Sequence, residues 1–148
     1  MRQPTGTMAA ALSLLGFLTA CHPDRPEDQV RKAFETCRAG VESGDVAEAT
    51  SSLDPEFRGP DGMDKATARL FLLGILRQEK VGVTVLRNEI TVQRSEALQE
   101  VDLLLTGRSG GLLPQDTSHR SFRLRWRKAS GGWKLLEIQP LDGRLTRR

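Results

Sequence analysis

The hydrophobic pattern of this chain changes period once, from about 3.6 residues to about 2, which divides it into a helical first part and a stranded second part. From Glu27, the residues Val30, Ala33, Phe34, Cys37 and Val41 form one helical stripe, with Pro26 suited to the first turn and Ser43-Gly44 as the stop. Asp45, with Glu48 three residues on, predicts the cap of a short second helix running through Ala49 to Leu53 and closed by Asp54-Pro55. Phe57 is expected as a lone anchor in the loop from Arg58 to Gly62. Asp64 caps a third helix, apolar nearly all round at Leu70, Phe71, Leu72, Leu73, Ile75 and Leu76, which predicts burial on more than one side.

Alternation begins at Val81, Val83 and Val85, and Ile90 and Val92 continue it in the opposite phase, which requires a bulge or break near Leu86 to Asn88. Val101, Leu103 and Leu105 share one face of the next strand, and Glu100 and Asp102 the other. After a Gly-rich loop from Thr106 to Asp116, Phe122, Leu124 and Trp126 alternate with Arg123, Arg125 and Arg127, and a last strand runs from Trp133 to Gln139. A three-residue hairpin loop, Ser130-Gly131-Gly132, sets Arg125 opposite Glu137 and Trp126 opposite Leu136. About three helices followed by about four strands imply an α+β domain with a meandering antiparallel sheet covered on one face.

The order of elements carries a resemblance. A long helix, a short helix ending in Leu53-Asp54-Pro55-Glu56-Phe57, an Asp-Gly turn, a third helix, and a last hairpin reading Trp126-Arg127-Lys128 with Gly-Gly-Trp133-Lys134-Leu135 resemble the nuclear transport factor 2-like (SnoaL-like, cystatin-like) superfamily. The resemblance implies a cone, in which a strongly curved antiparallel sheet wraps the long N-terminal helix and leaves a pocket. Phe34, Cys37, Phe57, Leu70, Leu73, Val101, Leu103, Phe122, Leu124 and Trp126 are the expected pocket-lining residues. Fold alone does not assign function.

The N-terminal segment reads as a processing signal. Ala9 to Leu18 is an apolar run of ten, about half the length needed to cross a bilayer, and acid-free residues precede it. Leu18-Thr19-Ala20-Cys21 resembles the lipobox of bacterial lipoproteins, which implies cleavage after residue 20 and a lipid on Cys21. The chain then divides into a signal peptide (1–20), a lipidated tether (21–26), the folded domain (27–142) and a polar tail (143–148). In that family an Asp after the lipidated Cys retains the protein at the inner membrane; His22 stands here, implying the periplasmic face of the outer membrane. Cys37 remains as the one thiol, on the core stripe, so the domain must hold together without an internal disulfide.

Composition narrows the chemistry. Of 148 residues none is Tyr, two are His and two are Cys, so a tyrosine acid, a histidine cluster and a thiolate metal cage lack their parts. The resemblance includes ketosteroid isomerases and scytalone dehydratases, whose pockets pair an acid or base with Tyr or His donors. His119, the only His past the tether, sits at the entry to a strand and reads as solvent-facing. No metal site and no cofactor are expected. The net charge of +3 and the envelope location exclude nucleic acid as a partner.

Arg123, Arg125 and Arg127 are anion-binding candidates, set against a solvated face balanced by Glu100, Asp102 and Glu137. Gly107-Arg108-Ser109-Gly110-Gly111 lacks the Gly-Lys-Ser/Thr of a phosphate loop. Leu112 and Leu113 would fold over the pocket mouth, meet a partner or plug the sheet end. The expectation is a membrane-anchored, non-catalytic module that binds an apolar small molecule or an envelope protein, with homodimerisation through the outer sheet face compatible with it. The alternative is an isomerase- or dehydratase-type enzyme using a pocket carboxylate. Asp102 is the candidate, and an inward Asp102 or Glu100 would favour the enzyme.

Overall fold

The computed structural model describes residues 24–107 and 119–141. Helix α1 spans Pro26–Ser43, and Gly44 ends it in the left-handed conformation (φ 77°), its amide donating to the Gly40 and Val41 carbonyls. Only a residue without a Cβ takes that backbone freely, which is why Ser43-Gly44 stops the helix. Helix α2 is Val46–Thr50, and the Asp45 side chain accepts from the Glu48 amide as an N-cap should. It ends before Leu53. Residues Leu53–Arg58 form a strand, β1, that takes in both Asp54-Pro55 and Phe57. A single 3-10 turn at Pro60–Gly62 leads to α3, Lys65–Gln78, capped by Asp64 through the Thr67 amide.

Four further strands follow: β2 Val81–Gln93, β3 Glu96–Gly107, β4 His119–Ala129 and β5 Gly132–Pro140. The order is β1-β5-β4-β3-β2, with β1 parallel to β5 and the rest antiparallel. Two expectations are corrected here. The sheet has five strands and is mixed, because β1 returns to pair alongside the last strand. It is also open, not a closed or strongly curled cone, since the edges β1 and β2 lie at opposite ends and do not pair with each other. At the β2 edge, helix α1 stands in for a further strand. Glu42 Oε1 accepts from the Val83 amide at 2.9 Å, and Arg38 donates to the Val83 carbonyl. Side chains thus satisfy edge groups that would otherwise invite another strand.

The phase change in β2 is a bulge between Val85 and Arg87, which turns Leu86 to solvent. The β4–β5 hairpin departs from expectation in an instructive way. Ala129 pairs with Gly132 across the two-residue turn Ser130-Gly131, yet Arg125 still faces Glu137, because a register shift between Arg125 and Trp126 absorbs one residue of β5. Trp126 therefore faces Leu135 rather than Leu136. The bulge reconciles a tight turn with the charge pairing.

The core lies between α1 and the inner sheet face: Val30, Phe34, Leu53, Phe57, Val101, Leu103, Leu124, Trp126, Trp133 and Leu135 are buried together. Trp133 Nε1 donates to Gln29 Oε1, tying β5 to α1. Helix α3 corrects a further expectation. Only Ala68 of its residues is buried, while Leu70 is 69% and Phe71 55% exposed. It packs on one side only.

Candidate functional site

A cavity of about 530 Å³ opens between α1, α3 and the inner sheet face, within the size range of small-molecule sites. Phe34, Cys37 and Val41 come from α1, Leu53 and Phe57 from β1, and Ala68, Phe71, Leu72, Ile75 and Leu76 from α3. The sheet supplies Val81, Val101, Leu103, Leu105, Phe122, Leu124, Trp126, Leu135 and Ile138. The periodicities bring these together: one stripe of α1 and the inward phase of every strand point at the same space. Leu70 and Leu73, expected in the lining, are not there. They lie on the side of α3 turned away from Ala68, Ile75 and the cavity, because successive helical residues turn by about 100°.

Polar character in the lining is sparse. Trp126 is fully buried, and its indole N–H donates to Gln99 Oε1 at 2.8 Å. Gln99, 0% exposed, in turn donates to Asn88 Oδ1 at 2.9 Å. The phase of β3 carried the signal for Gln99, since it shares the inward phase of Ala97, Val101 and Leu103. Burial pushes the Cys37 thiol up against the hydrogen bonds that Ser52 offers, so it stays protonated and unreactive at neutral pH.

One acidic residue lines the cavity: Asp61, in the 3-10 turn beside Pro60 and Met63. Its backbone sits in the left-handed region (φ 58°), a conformation that Asp and Asn adopt more readily than most residues. Turn composition alone concealed it, because Gly59-Pro60-Asp61-Gly62 reads as a connection. Among the described residues no group of three or more His, Cys, Asp and Glu comes together as metal ligands.

The candidate sheet carboxylates, Asp102 and Glu100, lie on the outer face. Asp102 accepts from Ser121 Oγ at 2.7 Å and from Arg87 Nε at 2.9 Å, and these bonds hold its carboxyl below the usual range. It is a pairing residue of the outer face, not a cavity base, because it falls on the strand phase opposite Val101 and Leu103. Glu100 is bound by Arg123 at 2.8 Å. The three anion-binding candidates are each engaged: Arg123 with Glu100, Arg125 with Glu137 at 3.2 Å, and Arg127 with both Asp54 and Glu56 at 2.7 Å. His119 opens β4 on the exposed surface. Cys21, Leu112 and Leu113 and the segment Arg108 to Gly111 lie outside the described residues.

No family model matches the sequence, and no curated protein matches it. Solved structures do. A "putative dehydratase" of the nuclear transport factor 2-like family from Streptomyces avermitilis superposes with a TM-score of 0.65 at 16% identity, covering 76% of this chain and 91% of that one. A nuclear transport factor 2-like protein from Cytophaga hutchinsonii gives 0.65 at 15% identity, over 79% of this chain and 98% of that one. A "putative aromatic ring hydroxylase" from Novosphingobium aromaticivorans gives 0.62 at 12% identity, over 80% and 90%. The fold is nuclear transport factor 2-like; identities this low carry the fold alone. The preference for a non-catalytic module, drawn from missing Tyr and scarce His, is corrected: neighbours of this fold bear enzyme names, and one acidic residue, the exposed Asp61, is among those lining the cavity.

Proposed function

We propose that the protein is an enzyme of dehydratase or isomerase type, which holds a small apolar molecule in its cavity and uses Asp61 as the base. The observation that carries this reading is the single acidic residue lining an otherwise apolar space. A carboxylate at such a boundary can take a proton from carbon α to a carbonyl. In an elimination, the C–H pair becomes the new C=C bond, the β C–O bond breaks, and hydroxide leaves with the proton returned by Asp61 as water. The apolar walls position the substrate and exclude bulk water. The enzyme names of the dehydratase and hydroxylase neighbours support the class of reaction without fixing it.

The reading extends to location. Leu18-Thr19-Ala20-Cys21 supports lipidation of Cys21, which would tether the domain at the periplasmic face of the outer membrane, within a few residues of α1 at Pro26. Palmitate labelling, lost in C21S, tests it.

The test of the reaction uses the aldol of acetone and benzaldehyde, an apolar β-hydroxy ketone whose dehydration to benzalacetone is followed by absorbance. Wild type is expected to accelerate it, Asp61→Asn to lose about 100-fold of that acceleration, and Ala68→Phe, which fills the cavity wall, to weaken binding of the ketone. Equal rates for wild type and D61N would overturn the assignment.

A further inference from the structure

The outward face of α3 carries exposed apolar side chains. Ala66, Leu70, Leu73 and Arg77 follow one another at i, i+4, i+7 and i+11, a stripe that in a helix facing water would be polar. Leu70 is the most exposed large hydrophobic residue described, and Phe71 beside it is exposed while also lining the cavity. A Cβ placed on Gly74, on the same side, would meet no atom within 4 Å, so nothing of the described chain covers that position, and Leu73 is half-buried.

Charge on α3 is equally one-sided. The helix carries Lys65, Arg69 and Arg77 and no acid between Lys65 and Gln78. The flanking acids are otherwise occupied: Asp64 caps the helix, and Glu79 is buried. Arg87, Arg123, Arg125 and Arg127 on the sheet face carboxylates, whereas Arg69 and Arg77, like Arg58, Arg94 and Arg120, make no ion pair among the described residues. Exposed apolar side chains flanked by uncompensated cations are the features of a helix that lies in the headgroup region of an anionic bilayer. Helix α3 is too short and too polar to cross one, and no described helix is long and apolar enough to do so.

We infer that α3 is an interfacial helix that docks this domain on an anionic lipid surface, with Leu70 and Phe71 inserted among the acyl chains and Arg69 and Arg77 on the phosphates. Because Phe71 belongs to both the exposed face and the cavity wall, docking brings the cavity to the acyl layer. Its ligand is then a membrane-partitioned hydrophobe, a step that rests on the cavity being a ligand site; the docking itself does not.

The test uses the full, unlipidated chain in Leu70→Trp form with vesicles of phosphatidylglycerol or of phosphatidylcholine, each carrying brominated acyl chains. Trp126 and Trp133 are buried and contribute a constant background. The expected result is a blue shift and quenching of the new indole by phosphatidylglycerol vesicles and not by phosphatidylcholine. Arg69→Gln with Arg77→Gln should weaken partitioning about 30-fold, near fivefold for each cation. The indole staying in water while the chain binds through its N-terminal segment would overturn the proposal. So would equal quenching by both lipids, or a concentration-dependent blue shift without lipid, which would mark α3 as a contact between two copies of this chain. Asp61→Asn docks as wild type does, so loss of turnover and loss of docking are separately visible.

Discussion

Arg127 on β4 reaches across β5 to grip Asp54 on β1, Nη2 to Oδ1 at 2.7 Å, and it thereby ties the parallel edge strand to the meander. Asp54 is 2% exposed and also accepts from the Glu56 amide at 2.8 Å. Burial raises its pKa, but the Glu56 amide and Arg127 outweigh that and hold the carboxyl below the usual range. A lowered folded-state pKa gives stability that is present above the unfolded value of about 3.9 and lost as pH falls through the folded value. Wild type should therefore lose stability on acidification below about pH 4, and Arg127→Gln should be less stable at neutral pH with a flatter acid limb. Urea unfolding at a series of pH values reads both.

Gln99 accepts the Trp126 indole N–H and donates to Asn88, so a hydrophobic replacement leaves both partners unsatisfied. Gln99→Leu should cost about 1–3 kcal/mol in urea unfolding despite being closer in polarity to its neighbours. A neutral or stabilising result would mean that the pair relaxes to other partners.

Two glycines predict opposite signs. A Cβ on Gly40 would lie 2.2 Å from the Ala49 amide nitrogen, where α1 and α2 cross. Gly40→Ala should destabilise by about 1–3 kcal/mol, since backbone must move. Gly74 is mid-helix with open space around it, and Gly74→Ala should stabilise by about 0.5–1 kcal/mol through helix propensity. Thermal unfolding of the two variants side by side checks the contrast.

What the sequence made legible follows from how local each signal is. Helix α1, the caps at Asp45 and Asp64, the phase change near Leu86 and the pairing of Arg125 with Glu137 all depend on neighbours within one element or one hairpin. Strand β1 was hidden because Asp54-Pro55 reads as a helix stop; an edge strand tolerates Pro, and its partner β5 is about 80 residues away. The shift near Leu136 left no local mark. Most of the cavity wall was readable from inward phase, from Phe34 to Trp126, but Leu70 and Leu73 were not, because an apolar residue on a helix does not say which side packs. Asp61 was missed for the opposite reason. Its turn looked merely connective, and only the fold brings that turn to the cavity.

Asp102 offers a control within the same protein. It is a carboxylate flanked by core residues in sequence, yet its partners are Arg87 and Ser121 on the outer face. Asp102→Asn should leave dehydration of the aldol within about twofold of wild type, far from the loss that general-base removal brings. A loss matching that of Asp61→Asn would move the chemistry to the outer face.

The most direct measurement is proton exchange at carbon inside the cavity. Benzylacetone incubated with the protein in heavy water should take deuterium α to its carbonyl, read by proton NMR, at a rate that Asp61→Asn lowers by about 100-fold. Exchange at the same rate with wild type and D61N, or no faster than in buffer, would contradict the assignment of Asp61 as the base of this site.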